Sequence, residues 1–133
     1  MFVSNHMLKR TSLLLVLLVP LSCNDSVSML EGAYAGTFTV HYEFMIQSGP
    51  VTLTLQSGRY TCSGGAGHIP AGGSGTYTVS SGVITFKDEN VWTADFDWNL
   101  ILNGPYQFTL NNGKLTLSKG INGMGTYTYE LTK

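Results

Sequence analysis

The sequence contains few charged residues and no concentration of positive charge. Only 11% of its 133 residues are Asp, Glu, Lys or Arg, and the formal net charge is −1 at pH 7. Proteins that bind nucleic acid present a basic patch to the phosphate backbone, so we expect no nucleic-acid partner. The low charge does not indicate disorder, because 43% of the residues are hydrophobic.

Histidine and cysteine are also scarce, with three and two residues respectively. A transition-metal site needs several such ligands together, and His41 with Glu43 offers only two. Asp95 and Asp97 are most simply a solvated pair on the outward face of a strand. The chain lacks a nucleophile elbow and a Ser-His-Asp arrangement, so we expect no metal, no cofactor and no enzymatic activity.

No apolar run is long enough to cross a membrane as a helix, which takes about 20 residues. The run at residues 13–19 follows Lys9 and Arg10 and precedes Pro20-Leu21-Ser22-Cys23. A basic start, a short apolar run and small residues at a cut site are typical of a secretory signal. We therefore predict a signal peptide at residues 1–22 and export from the cytoplasm.

Cys23 follows this signal directly, after Ser22, in a pattern that resembles the lipobox of bacterial lipoproteins. The resemblance implies that Cys23 is lipidated and anchors the chain in the outer membrane, with residues 23–32 as a tether. The alternative is ordinary secretion with a cut after Ser28. Cys62 is then either a buried, inert thiol or, if Cys23 is not lipidated, its disulfide partner.

Beyond residue 32, apolar and polar residues alternate with a period of two, which predicts antiparallel strands with one buried face. The alternation covers residues 38–46, 51–56, 92–102 and 126–132. It places Phe44 and Ile46 on the buried face of one strand and Trp98 on the buried face of another.

Three dipeptides predict two-residue hairpin turns: Ser57-Gly58, Ser81-Gly82 and Asn112-Gly113. Each turn sets apolar residues opposite each other, and a shift of one residue would separate all of them. The predicted pairs are Leu55–Tyr60, Leu53–Cys62, Val79–Ile84, Tyr77–Phe86, Leu110–Leu115 and Phe108–Leu117. A tight turn at Asn103-Gly104-Pro105 would pair Leu100 with Gln107, so we expect a longer loop or a bulge there.

These strands predict one all-β domain over residues 33–133, an antiparallel up-and-down β-barrel of about eight strands. Such a barrel removes the exposed edges that a meander would leave; a β-sandwich is the alternative. A barrel of this size is either filled by its side chains or holds one small ligand, and the sequence leaves both open.

Several segments resemble small lipocalin-like lipoproteins of Bacteroidota. They are residues 95–104 (DFDWNLILNG), 106–108 (YQF), 113–117 (GKLTL) and 127–131 (YTYEL). The resemblance implies a calycin-like barrel, a place in the cell envelope and binding of a small apolar ligand. It implies no catalytic residues.

The predicted inward face is rich in aromatic residues, and buried tyrosine and tryptophan need hydrogen-bond partners. We therefore expect a monomeric, membrane-tethered protein that binds a small hydrophobic or amphipathic molecule. The predicted pocket residues are Tyr42, Tyr60, Trp98, Tyr106 and Tyr129, with His68 on a glycine-rich loop at residues 63–75 that acts as a lid. The alternative is a solid barrel that contacts another envelope protein or a glycan.

Overall fold

Eight antiparallel strands form a closed barrel in the computed structural model, which describes residues 24–133. The predicted up-and-down barrel is confirmed, and the alternative sandwich is wrong. The predicted signal peptide and Cys23 lie outside the described residues. The strands are β1 (Gly32–Tyr42), β2 (Ile46–Gln56), β3 (Arg59–Cys62), β4 (Gly73–Ser80), β5 (Val83–Asp88), β6 (Gly104–Asn111), β7 (Lys114–Ile121) and β8 (Gly125–Thr132).

Consecutive strands pair with each other, and β1 pairs with β8 to close the barrel. All six predicted apolar pairs are present in the register. The first residue of each predicted turn has a positive φ, 51° at Ser57, 50° at Ser81 and 51° at Asn112, and a glycine with positive φ follows each. Two consecutive residues with positive φ give the turn twist that matches a right-handed hairpin.

The barrel has two unlike ends. At the hairpin end, where the three two-residue turns lie, helix α1 (Asn24–Leu30) packs against the strands. Leu30 is buried, and its carbonyl oxygen accepts a 2.7 Å hydrogen bond from the Tyr34 hydroxyl. The residues that we predicted as a tether therefore include a short helix that is partly integrated into the domain. In the part of the chain with described structure, no helix has the length and apolarity to span a membrane.

The opposite end, which we call the loop end, carries the turn at residues 43–45, the loops at 63–72 and 89–103, and the turn at 122–124. The predicted strand over 92–102 is wrong, because this segment is a loop with a single 3-10 turn at Trp98–Leu100. The Asp97 side chain accepts a hydrogen bond from the Asn99 backbone N–H at 2.9 Å. A side chain that bonds the local backbone in this way competes with strand pairing.

The prediction that Phe44 and Ile46 are buried is also wrong. The chain reverses between β1 and β2 at residues 43–45, where the Tyr42 N–H donates to the Met45 carbonyl oxygen at 2.8 Å. The reversal interrupts the period of two, and Phe44 and Ile46 are 92% and 64% exposed.

Candidate functional site at the loop end

Two long loops cover the mouth of the barrel and bind each other. The Ala71 N–H donates to the Leu100 carbonyl oxygen at 2.9 Å, and the Leu102 N–H donates to the Gly72 carbonyl oxygen at 2.9 Å. Ala71, Leu100 and Leu102 are buried. The glycine-rich loop is therefore held against its partner loop, which contributes buried apolar side chains, and its predicted role as a lid stays a prediction.

Below these loops, buried aromatic rings form one continuous chain of contacts inside the barrel. The ring-centroid distances are 4.7 Å for Phe38–Tyr129, 5.8 Å for Tyr129–Tyr106, 5.8 Å for Tyr106–Phe86 and 4.8 Å for Phe86–Tyr60. The structure thus brings three of the predicted pocket residues, Tyr60, Tyr106 and Tyr129, together in the interior. All three are almost fully buried, and they contact other rings.

The hydroxyl groups of the buried tyrosines differ in their hydrogen bonding. Tyr60 donates a 2.6 Å hydrogen bond to the Leu102 carbonyl oxygen, which ties β3 to the mouth. Within the described residues, the buried hydroxyls of Tyr77, Tyr106 and Tyr129 make no hydrogen bond of good geometry, although the Tyr106 and Tyr129 hydroxyls lie close enough to interact with each other. Burial raises the pKa of Tyr106 and Tyr129 well above the ordinary tyrosine range, so both remain neutral phenols at physiological pH.

Tyr42, the fourth predicted pocket residue, lies in a polar cluster at the edge of the mouth. The hydroxyls of Tyr42 and Tyr127 both donate to Asp97 Oδ2, at 2.8 Å and 2.6 Å. Burial acts to raise the pKa of Asp97, but hydrogen bonds from Tyr127, Asn99 and Tyr42 outweigh it and the net shift is downward. Burial and the bond to Asp97 raise the pKa of Tyr42 to about 12.

This cluster joins the 89–103 loop to β1 and β8, and its geometry serves to hold the loop in place. Sequence reasoning missed it because Asp97 was assigned to the outward face of a strand. The available signal was an aspartate two residues before Asn99, a spacing that favours a side-chain cap on a short turn.

Trp98 and His68 do not join the interior residues. Trp98 is 56% exposed, and its indole N–H donates to the Thr93 carbonyl oxygen at 2.9 Å. The exposed His68 ring stacks on Phe96, with centroids 4.1 Å apart and an interplanar angle of 12°. The two residues lie on the outer surface of the mouth loops.

Six large apolar side chains are exposed at the loop end, Val91 among them, and we call the five on or beside the β1–β2 and β7–β8 turns the apolar rim. Tyr42 pairs with Gly125, which brings the β1–β2 turn next to the β7–β8 turn. The Asn99 side-chain amide contacts the Met124 sulfur at 3.4 Å, which brings the turn that bears Trp98 to the same place. The members of the apolar rim are Phe44, Met45, Ile46, Trp98 and Met124.

An open cleft of about 480 Å³ lies between the β1–β2 and β7–β8 turns and adjoins the rim. Its walls include Tyr42, Glu43 and Met124. The loop end therefore combines exposed apolar groups with an acidic side chain in one concave surface.

Cys62 is a free, buried cysteine, as the buried-thiol interpretation expected. Burial raises its pKa to about 12, so it remains protonated and unreactive in the folded protein. Across residues 24–133, no three His, Cys, Asp or Glu side chains come together as metal ligands.

No protein-family model, curated protein or solved structure matches this chain. The resemblance to lipocalin-like lipoproteins therefore stays a prediction.

Proposed function

We propose that this chain is a lipid-anchored protein of the cell envelope and that its barrel binds a partner protein through the apolar rim. The observation that carries the proposal is the exposure of five large apolar side chains at one end of the barrel, outside the cluster of buried aromatic rings. Clustered exposed apolar groups mark interaction surfaces, and aromatic residues and methionine are enriched in protein interfaces.

The position of the N-terminus supports a partner on the far side from the membrane. Helix α1 packs at the hairpin end, so an anchor at Cys23, directly before α1, would hold that end near the bilayer. The apolar rim would then face away from the membrane that holds the protein.

Acidic side chains near the apolar rim indicate a partner surface with basic residues. Glu43 stands next to Phe44, and Asp95 lies on the same loop as Trp98. A complementary surface would present an apolar centre with lysine or arginine at its edge, because opposite charges at the rim of an interface guide association.

Site-specific photo-crosslinking in the producing cell tests this proposal. A photoreactive phenylalanine analogue at position 44 should give one discrete adduct, whereas the same analogue at Thr85, exposed on β5, should give none. The change Ile46→Ser should remove the adduct without lowering the amount of folded protein. Adducts at both positions, or at neither, would contradict the proposal.

The lipid anchor has its own test. The full chain should partition with membranes, and Cys23→Ser should release it to the soluble fraction, whereas Cys62→Ser should leave it in the membrane fraction. If both variants stay in the membrane fraction, Cys23 is not the anchor.

One observation favours the second candidate function, binding of a small hydrophobic or amphipathic ligand in the interior. The buried hydroxyls of Tyr106 and Tyr129 lack partners, and a polar atom of a ligand would satisfy them. Native mass spectrometry of the mature protein with a lipid and metabolite extract tests this function. A discrete added mass that Tyr60→Ala removes would support it, and a clean mass of the protein alone would oppose it.

A further inference from the structure

The barrel wall has a gap between β6 and β7 near the loop end. Pairing between these strands ends at Gln107 and Ser118. The first residues of β6 remain paired with β5, up to Gly104 opposite Phe86, and the last residues of β7 remain paired with β8, up to Ile121 opposite Gly125. The two strands therefore diverge and leave an open cleft of about 450 Å³, which we call the side cleft.

A lysine with an unusual environment lines the side cleft. Lys119 follows Leu115 and Leu117 at intervals of two on β7, so its side chain starts from the inward face of the strand. Its ammonium nitrogen lies 4.7 Å from the ring centroid of Tyr106 and 5.4 Å from that of Tyr127. It also donates a hydrogen bond to the Asn103 carbonyl oxygen at 3.3 Å.

Among the side chains of residues 27–133, no carboxylate is in direct contact with this ammonium. The one ion pair within residues 27–133 joins Arg59 to Glu89. Asp97 is the acidic group that faces Lys119, and burial lowers the pKa of Lys119 while Asp97 partly restores it. A half-buried ammonium that keeps free donors gains free energy from an anion placed beside it.

Apolar surface continues from Lys119 along the outer side of the cleft. Val83, Pro105 and Ile121 line it together with the Tyr106 ring. A second cleft of about 380 Å³ shares Val83, Gln107 and Ser118 with the first and extends to Phe108. A ligand with an anionic head at Lys119 would therefore find room for a hydrocarbon tail on either side of β6.

We propose that the side cleft binds a small amphiphile with one carboxylate, whose head group contacts Lys119 and whose hydrocarbon tail lies along Val83 and Pro105. The single ammonium balances the one negative charge of a carboxylate, whereas a phosphate monoester carries about −1.5 to −2 charges at pH 7. Neither Lys119 nor Tyr106 belongs to the apolar rim. Amphiphile binding in the side cleft and partner binding at the rim are therefore separate, and either can fail while the other holds.

Titration calorimetry of the mature protein, below the micelle concentration of the probes, tests the side cleft. The probes are sodium dodecanoate, dodecanol as the tail without charge, acetate as the head without tail, and dodecyl phosphate. Dodecanoate should bind at one saturable site, about tenfold or more tighter than the other three, which corresponds to at least about 1.4 kcal/mol. Equal binding of dodecanol, tighter binding of dodecyl phosphate, or no saturable binding of dodecanoate would overturn the proposal.

Matched variants assign the site. Lys119→Met should weaken dodecanoate binding about tenfold, and Lys119→Arg should retain most of it. Lys87→Met removes an exposed lysine from the neighbouring strand β5 and should change nothing. An unchanged affinity in Lys119→Met would overturn the proposal.

Amide chemical shifts of the unmodified protein keep the test decisive if Lys119→Met does not fold. Dodecanoate should change the amide chemical shifts of Tyr106, Ser118 and Lys119. The amide shift of Thr54, on the outer face of β2, should not change. Shifts confined to the apolar rim would overturn the side cleft while leaving the rim as a binding surface.

Discussion

The Tyr127 hydroxyl donates a 2.6 Å hydrogen bond to Asp97 Oδ2 and so ties the 89–103 loop to the wall of the barrel. The same oxygen accepts from Tyr42, and Oδ1 accepts from the backbone N–H of Asn99. One carboxylate therefore connects β1, β8 and the 3-10 turn. This connection places Trp98 on the apolar rim and Leu100 in the mouth.

Removal of the Asp97 carboxylate should destabilise the protein. Asp97→Ala leaves two tyrosine hydroxyls and one backbone N–H without their acceptor, and we expect the free energy of unfolding to fall by about 2 kcal/mol. Chemical denaturation followed by circular dichroism measures this loss. Asp95→Ala, on the same loop but fully exposed, should leave the denaturation midpoint unchanged, and equal effects of the two changes would contradict this role of Asp97.

Alkaline pH should unfold the protein cooperatively. Burial raises the pKa of Tyr42 to about 12, and that of Tyr60, Tyr127 and Tyr129 also rises. Their contribution to stability is complete below the unfolded pKa of about 10. It is lost as pH rises toward the folded values, because only the unfolded chain then releases these protons. The absorbance of the ionised forms of these tyrosines should therefore appear at the pH at which the circular dichroism signal is lost. A gradual rise of tyrosinate absorbance while the protein is still folded would contradict the burial of these residues.

The hairpins could be predicted from sequence because two independent constraints agree there. A serine or asparagine followed by glycine tolerates the positive φ of a two-residue turn, and only one register pairs the apolar residues on both sides. Leu53 opposite Cys62 follows from Ser57-Gly58 without any knowledge of the rest of the fold.

The loop end could not be predicted in the same way, because alternation there has other causes. Leu100 and Leu102 are buried by the neighbouring loop and not by a strand register. The reversal at residues 43–45 contains no glycine, proline or asparagine, whereas Gly49 and Pro50, which commonly mark turns, lie inside β2. The apolar rim and the side cleft depend on these long-range arrangements, so neither appears in the local pattern.

A close approach of strands makes Gly36 hard to replace. A Cβ atom at this position would collide with the backbone carbonyl oxygen of Glu130 on β8. Gly36→Ala should therefore lower the free energy of unfolding by about 2 kcal/mol, a typical cost of overpacking. Gly120→Ala is the matched control, because no atom lies within 4 Å of the added methyl group, and a similar loss in both variants would contradict the contact with Glu130 as the cause.

Two tyrosine-to-phenylalanine changes distinguish a dry interior from one that holds a polar ligand or water. Tyr60→Phe removes the hydrogen bond to the Leu102 carbonyl oxygen and leaves that oxygen unpaired, so the free energy of unfolding should fall by about 1–2 kcal/mol. Tyr129→Phe removes a hydroxyl that has no partner, so stability should stay the same or rise. Thermal and chemical denaturation of the two variants, each with one oxygen removed from the same aromatic cluster, measure the difference.

The contrast between these variants bears directly on function. If Tyr129→Phe is as costly as Tyr60→Phe, the Tyr129 hydroxyl has a partner inside the folded protein. That partner is either the neighbouring Tyr106 hydroxyl, which the same loss in Tyr106→Phe would identify, or a bound water or ligand. In the latter case, interior binding would gain support over partner binding. If Tyr129→Phe is neutral, the ring chain from Phe38 to Tyr60 is a dry core, and the binding surfaces of this barrel are those on its outside.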